Sequence, residues 1–356
     1  MNDALLVSTV SSKGDACKNH WCAGPIKPRQ AIEPAGKGTY RMDSTTVLRD
    51  QSTRSQISVW MQAVRVRSLI ISSVSVFVGG ALAYNYGHFD LLRLFLAWLC
   101  AVAVQSGTNL TNVHYNYKTR GRGAALDHID PRGSTVVVEQ GLLTSAKVWT
   151  GALVAFALGV ASGLILISMT SWWLLLVGLA GTIAGYSYAG PPLRLSYFGM
   201  GVPTVFIFMG PAMVSGTFYA MTGSVSWGAI AASISVGLMA ANRLHINDIR
   251  DLETDVSHHK HTITTLVGRR GAVALLVSSE IVAYVVITSA ALAGVLPWAV
   301  LFTLVTLLRA IPLARTVSAE TTQDGLHIAW VLGVRLHMEF GVVLILSLIA
   351  ARALNL

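Results

Sequence analysis

The stretch "WGAIAASISVGLMAANRLHINDIRDLETD", residues 227–255, joins about twenty apolar or small residues to a polar end with four acidic side chains. The apolar part has the length of a helix that crosses the hydrocarbon core of a bilayer. Its polar residues begin before such a helix reaches water, because Asn242, Arg243 and His245 fall in its last turns. Ionisable groups at that depth are costly and mark functional sites. The stretch therefore predicts a membrane helix that ends in a site with chemistry.

The composition of the whole chain agrees with a membrane protein. Of 356 residues, 53% are apolar and only 12% are charged, against about a quarter charged in soluble domains. Cys17, Cys22 and Cys100 have neither the spacing of a zinc site nor the even count of a disulfide framework. The basic residues behind the net charge of +9 are scattered around apolar spans, which favours a lipid bilayer over nucleic acid as the partner.

Nine apolar stretches are candidates for membrane spans. They lie near 68–86, 91–111, 147–169, 171–189, 200–221, 226–246, 273–294, 297–314 and 336–354. Lys and Arg follow the second, fourth, sixth and eighth of them and are missing from the linkers after the others. Because basic loops stay in the cytoplasm, we predict an all-α, polytopic membrane bundle of about nine transmembrane helices with a cytoplasmic N-terminus.

The first 60 residues differ from the rest of the chain. They mix Ser, Gly, Pro and Lys and contain no apolar core of a secretory signal. We interpret residues 1–60 as a disordered polar tail and residues 61–356 as one transmembrane domain. The expected location is a bacterial inner membrane or the endoplasmic reticulum membrane.

The polar end of the opening stretch has a regular spacing. Asn247, Asp251 and Asp255 recur every four residues, and an α-helix places such residues on one face, one turn apart. Carboxylate and amide oxygens suit Mg²⁺, which proteins usually hold with one or two carboxylates plus substrate phosphates. The ordinary alternative is a helix end that emerges into water with solvated charge.

A second polar helix end follows the second span. The stretch "QSGTNLTNVHYNYKTRG" places Asn109, Asn112 and Asn116 there, again before a basic loop. Two such ends on the same side of a bundle resemble an internal repeat whose halves face one site. Carboxylates for a metal, basic residues for phosphates and an apolar surrounding fit an isoprenoid diphosphate, whose leaving pyrophosphate the metal would stabilise.

These motifs together resemble the UbiA superfamily of intramembrane prenyltransferases, most closely its menaquinone branch. The resemblance covers the chain from about residue 61 onward. It is carried by "QSGTNLTN" (105–112), "DPRG" and "EQGLLT" (130–144), "YAGPPLRLSYFGMG" (188–201), "FMGPAMVSGTFY" (208–219), "HINDIRDLETD" (245–255) and "LHMEFG" (336–341). It implies nine helices around a central cavity that opens laterally to lipid, with Asn247, Asp251 and Asp255 as ligands of magnesium and diphosphate.

The chain also departs from the pattern that the resemblance implies. The first family motif, Asn-Asp-x-x-Asp, is represented by Asn112, Val113 and Asn116, so both carboxylates are missing. Val136 and Val202 stand where the branch often has an Arg and an acidic residue. The missing acidic groups leave two reactions open: prenyl transfer to an aromatic or quinone-precursor acceptor, and acceptor-free cyclisation of the prenyl chain. A catalytically silent scaffold is the third alternative.

Individual residues receive the following predicted roles. The metal ligands are Asp251 and Asp255 with Asn112 and Asn116, while Asn247 joins the two aspartates as a catalytic group. The diphosphate contacts are Lys118, Arg132, Arg194, Lys260, Asn109 and Arg250, each of which could instead anchor a loop to lipid headgroups. Tyr115, Tyr188 and Tyr197 could line the cavity and shield a carbocation, or serve as interfacial anchors.

The last two spans carry ionisable residues of their own. Arg309 and His337 are expected to face the bundle interior or to snorkel to the interface. The segment from about 315 to 335 is expected to form a cytoplasmic loop with an interfacial helix over the site.

Overall fold

The computed structural model describes residues 55–120 and 134–355. In chain order, its helices are α1 (Gln56–Val64), α2 (Val66–Asn85), α3 (Leu91–Arg120), α4 (Val136–Glu139), α5 (Ser145–Ser168), α6 (Trp173–Ser187), α7 (Gly201–Thr222), α8 (Trp227–Arg250), α9 (Leu252–Ser257), α10 (Ile263–Leu292), α11 (Trp298–Ala319) and α12 (Gln323–Leu354). The predicted all-α bundle is confirmed.

Eight of these helices are long and apolar enough to cross a membrane: α2, α3, α5, α7, α8, α10, α11 and α12. At the predicted fourth span lies α6, an apolar helix of 15 residues, which at 1.5 Å per residue falls short of the hydrocarbon core. The described part of the chain is thus an integral, multi-pass membrane protein. The cytoplasmic position of the N-terminus and the disordered tail remain predictions, and the tail lies almost wholly outside the described residues.

Helix α8 holds a central position among the described helices. It packs against α7, α10 and α12. Two thirds of the residues in its most apolar stretch are buried inside the protein. Its apolar side chains Val236, Met239, Ile246 and Ile249 belong to the largest buried cluster. The end of α8 at Arg250 is therefore supported on several sides before it reaches the polar residues that follow.

The approach of α8 to α7 depends on two glycines. A Cβ atom on Gly237 would lie 2.8 Å from the Phe206 carbonyl oxygen and 2.9 Å from the Gly210 Cα. Small residues allow membrane helices to approach closely and gain dispersion contacts. In the same part of α7, Pro211 lies in a π-helical stretch, Phe208–Ser215, where the usual backbone ladder is widened.

One sequence expectation is wrong at the end of the chain. Helix α11 continues to Ala319 and α12 begins at Gln323, where the Thr322 hydroxyl accepts a hydrogen bond from the Gly325 N–H at 3.1 Å. Only residues 320–322 connect the two, so no loop spans 315–335. The first half of α12 stays helical because Leu326, Ala329 and Gly333 recur on one face and bury it.

The ionisable residues of these helices take different positions. His337 is buried, as expected for a residue that faces the bundle interior. The Arg309 side chain is half exposed, and its Nε lies 3.2 Å from a carboxylate oxygen of Glu339 in α12. Arg309 therefore pairs on the outer face of the bundle instead of lining its interior.

A matched pair of substitutions tests the close approach of α7 and α8. Gly237→Ala should destabilise the protein by about 1–3 kcal/mol, the usual effect of overpacking. Gly216→Ala introduces the same methyl group in α7 where a Cβ would meet nothing within 4 Å, and should leave the melting temperature unchanged or slightly higher. Thermal unfolding in detergent, followed by intrinsic fluorescence, measures both. Equal melting temperatures would show that the glycine contact is unimportant.

Candidate active site

The acidic end of α8 is almost continuous with the short helix α9. Asp251 leaves helical geometry (φ −93°, ψ 12°), yet its N–H donates to the Asn247 carbonyl at 2.8 Å. The Asp255 N–H in turn donates to the Asp251 carbonyl at 2.8 Å. The four-residue spacing of the sequence motif therefore survives as successive backbone hydrogen bonds, although the three side chains enter different surroundings.

Two buried carboxylates share one ammonium at this helix end. The Lys260 Nζ lies 3.0 Å from an oxygen of Asp255 and 3.8 Å from one of Asp248. Burial raises the pKa of the Asp255 carboxyl, against the opposing effect of Lys260. Burial acts to lower the pKa of Lys260, but Asp248 and Asp255 prevail and raise it. This acidic cluster, Asp248, Asp255 and Lys260, carries more negative than positive charge when ionised.

Asp248 is a site residue that the sequence analysis missed. The four-residue pattern directs attention to Asn247, whereas the structure buries Asp248 with only 6% of its surface exposed. A signal was present, because Asp248 precedes Asp255 by seven residues and such residues share a face of an α-helix.

Asp251 and Asn247 lie beside the acidic cluster rather than within it. Both oxygens of Asp251 accept from the Arg250 guanidinium, at 2.7 and 2.9 Å, in a bidentate pair. Both Asp251 and Asn247 keep part of their surface accessible. Arg250 and Lys260, two predicted diphosphate contacts, are thus bound to carboxylates in this structure.

Tyr188 lies near the acidic cluster. It is the first residue after α6. Its phenol is within electrostatic range of Asp248, Lys260, Arg65 and Arg243. Burial, followed by the Asp248 charge, raises the pKa of Tyr188 to about 12. The phenol is consequently neutral at physiological pH.

The end of α3 presents a chain of polar contacts. The Tyr197 hydroxyl donates to the Asn116 Oδ1 at 3.1 Å, and the Asn116 amide donates to the Asn112 Oδ1 at 2.7 Å. The backbone carbonyl of Tyr197 also accepts from the His261 N–H at 3.0 Å. The loop between α6 and α7 thereby connects the amides of α3 to the loop that carries Lys260.

Tyrosines of α3 and α6 form a second group of aromatic residues. The hydroxyls of Tyr115 and Tyr186 lie 3.2 Å apart, and Lys118 Nζ lies 6.0 Å from the Tyr115 ring centroid. Arg194, whose left-handed backbone (φ 44°) follows a turn closed by its N–H to the Gly190 carbonyl, is within electrostatic range of Tyr115. Two predicted diphosphate contacts therefore meet a predicted cavity tyrosine.

Two predicted diphosphate contacts fall outside this arrangement. The Asn109 Nδ2 donates to the Val64 carbonyl and the Ser68 hydroxyl, both at 2.7 Å, while its Oδ1 accepts from Gln105. That geometry fastens the junction of α1 and α2 and disfavours a contact with substrate. Arg132 lies outside the described residues.

The fold and this charged helix end define a class of protein, a polytopic membrane protein with a buried, charged cluster at the end of a central helix. The model of the UbiA prenyltransferase family matches residues 72–336. The chain belongs to this family of membrane prenyltransferases.

Relatives with named activities support the same assignment. The 1,4-dihydroxy-2-naphthoate octaprenyltransferase of Bacillus subtilis is 33% identical over 239 residues, which cover 67% of this chain and 75% of the relative. The 2-carboxy-1,4-naphthoquinone phytyltransferase of Synechocystis is 28% identical, over 78% of this chain and 88% of the relative.

Solved structures show the same fold. A UbiA homolog from Aeropyrum pernix K1 gives a TM-score of 0.59 at 19% identity, covering 78% of this chain and 97% of the homolog. A UbiA homolog from Archaeoglobus fulgidus bound to DMAPP and Mg²⁺ gives 0.55 at 16% identity, covering 80% and 98%.

Removing Lys260 tests the charge balance of the acidic cluster. In Lys260→Met, two buried carboxylates lose their shared cation, and breaking such a pair costs about 3–5 kcal/mol. A divalent cation can replace the ammonium, so Mg²⁺ should raise the melting temperature of the variant more than that of the wild type.

The exposed Lys147 supplies the control for that experiment. Lys147→Met should leave both the melting temperature and its response to Mg²⁺ unchanged. If Lys260→Met melts like the wild type and ignores Mg²⁺, the two carboxylates do not depend on the ammonium.

Proposed function

We propose that this protein is a Mg²⁺-dependent enzyme that ionises an isoprenoid diphosphate and transfers the prenyl group to an aromatic quinone precursor. The observation that carries the proposal is the cluster of Asp248, Asp255 and Lys260 at the end of a central, buried membrane helix. The activities named for the relatives make a dihydroxynaphthoate the first acceptor to test.

The residues of the site suit a magnesium ion that arrives with its substrate. Among the residues that the structure describes, no group of three or more His, Cys, Asp and Glu side chains is placed to hold a metal. Mg²⁺ characteristically takes one or two carboxylates and completes its shell with water and phosphate oxygens. Asn247 and one or two of the carboxylates of Asp248, Asp251 and Asp255 would hold it on one side, and Asn112 and Asn116 would offer amide oxygens on the other. When bound, the metal would supply positive charge for the leaving pyrophosphate.

When substrate binds, the basic residues of the site can exchange their carboxylate partners for phosphate oxygens. Lys260 pairs with Asp255 and Asp248, and Arg250 pairs with Asp251, so three carboxylates share two cations. A cation that enters with the diphosphate would give these carboxylates a further positive partner. The ammonium and the guanidinium are then available to the phosphate oxygens, for which charge-assisted hydrogen bonds are strong. Arg194 and Lys118 would approach the diphosphate from the side of α3.

The chemical step requires charge stabilisation more than proton transfer. The prenyl C–O bond breaks and its electron pair leaves with pyrophosphate. A ring carbon of the acceptor then forms the new C–C bond, and its proton passes to a phosphate oxygen of the leaving group. Tyr188, whose phenol is neutral at physiological pH, would present a ring face to the allylic cation, as Tyr115 and Tyr197 would from their own positions. A neutral phenol is also less able than a phenolate to trap the cation.

Pyrophosphate release from the purified protein tests this proposal. The protein in detergent is given geranyl, farnesyl or geranylgeranyl diphosphate with Mg²⁺, with and without 1,4-dihydroxy-2-naphthoate. Release should require both Mg²⁺ and the acceptor, and a prenylated ring should form. Asp251→Asn and Asp248→Asn should each lower kcat at least about 100-fold, because each removes charge stabilisation from the transition state.

The other outcomes discriminate between mechanisms. Release without an acceptor, together with a cyclic hydrocarbon in the extract, would replace the transfer reaction by cyclisation. The exposed residue Glu253 provides a matched acidic control, and Glu253→Gln should keep wild-type kcat. Absence of release from all three donors would contradict the ionisation chemistry that both reactions share.

A further inference from the structure

Arg243 extends the site one turn further into the membrane. It precedes Asn247 by four residues, so Arg243, Asn247, Asp251 and Asp255 form a single series at intervals of one turn. At 1.5 Å per residue, Arg243 lies about 6 Å deeper along α8 than Asn247. A diphosphate held by the outer members of this series would have its prenyl end directed toward Arg243.

The guanidinium of Arg243 has no counterion among the described residues. Its Nε is buried without a hydrogen-bond partner, and no ion pair in the described ranges includes it. The carboxylates of the same helix end are paired with Arg250 and Lys260 instead. A buried charge without a partner is strongly unfavourable, so the position suggests a ligand that supplies negative charge.

The neighbours of Arg243 point to the same kind of ligand. Arg243 is within electrostatic range of Arg65, which comes from the junction of α1 and α2, and of the neutral phenol of Tyr188. Arg65 is exposed, and its Nε donates to the Ser134 hydroxyl at 2.8 Å. The two positive charges repel each other, and an anion bound near Arg243 would offset that repulsion. Part of the Arg243 side chain is accessible even though protein surrounds it, which leaves such an anion room to approach.

We propose that Arg243 binds the phosphate nearest the prenyl chain, and that it stabilises the negative charge that develops there when the C–O bond breaks. This inference rests on the proposed function, since it concerns the same diphosphate. The electron pair of the broken bond stays on the phosphate oxygen, to which the guanidinium donates hydrogen bonds, and Arg243 transfers no proton.

The lack of carboxylates at the polar end of α3 explains why the site would need the charge of Arg243. Asn112, Val113 and Asn116 supply no carboxylate, so a cation on that side has only amide oxygens as protein ligands. Amide oxygens carry no net charge and hold Mg²⁺ less firmly than carboxylates do. A guanidinium fixed in the protein provides positive charge at the same diphosphate without a metal. Diphosphate binding by this protein should therefore persist in part when Mg²⁺ is removed.

Direct binding of a non-ionising substrate analogue tests this inference. Geranylgeranyl S-thiolodiphosphate is titrated into the detergent-solubilised protein, once with EDTA and once with Mg²⁺. The wild type should bind in EDTA, and Arg243→Met should bind about 10- to 100-fold more weakly there, the usual effect of losing charge-assisted hydrogen bonds. With Mg²⁺ and true substrate, Arg243→Met should lower kcat for pyrophosphate release more than it raises KM.

Two further variants control for folding and for the loss of a membrane arginine. Arg243→Gln keeps a polar side chain of similar reach without the charge and should weaken binding in EDTA as Arg243→Met does. Arg309→Met removes an arginine from the outer face of the bundle and should bind and turn over substrate like the wild type. Melting temperatures are measured for each, so that if Arg243→Met fails to fold, Arg243→Gln decides.

The possible failures are distinct. If the wild type binds the analogue and both Arg243 variants bind it equally well in EDTA and keep wild-type kcat, the role of Arg243 is overturned while the proposed function stands. If the wild type binds no analogue under either condition, the proposed function itself is contradicted, and the inference with it.

Discussion

The site depends on a shortage of positive charge at the end of a buried helix. Asp248 and Asp255 share the ammonium of Lys260, and both carboxylates are buried. In such surroundings a carboxylate requires a cation, because the low dielectric penalises an uncompensated charge. Under the proposed function, such a site would attract a divalent cation without enclosing one completely. That property suits an enzyme whose metal enters with a diphosphate.

The two polar helix ends are joined by the loop between α6 and α7. Within this loop, Tyr188 faces the acidic cluster, and Tyr197 contacts both the Asn116 amide and the His261 backbone. The loop is held to these partners by backbone and side-chain hydrogen bonds, so the amides of α3 and the carboxylates of α8 belong to one arrangement. One of the two connected helix ends keeps its acids and the other has only amides, while the internal repeat itself stays a prediction.

Much of the fold could be predicted from hydropathy and the spacing of polar residues. The predicted spans agree closely with α5 and α8, whereas α3 continues to Arg120, past its predicted end at 111, and α10 begins at Ile263, before its predicted start at 273. The prediction was wrong at 315–335, where Glu320 and Asp324 suggested a loop. Asp324 instead lies in the first turn of α12, a helix whose buried face includes Leu326, Ala329 and Gly333. Mean hydropathy averages the two faces and cannot represent a long helix that is polar on one side.

The sequence by itself determined that this is a helical membrane protein with charge at the ends of two helices, because hydropathy and residue spacing are local properties of the chain. It also marked Asn247, Asp251 and Asp255, whose four-residue interval is visible without a structure. Only the tertiary structure decided that Asp248 is buried beside Asp255, that Asn109 fastens a helix junction, and that Arg243 has no counterion within residues 55–120 and 134–355. Each of these depends on which face of a helix meets which neighbour. Packing sets that relation between segments far apart in the chain.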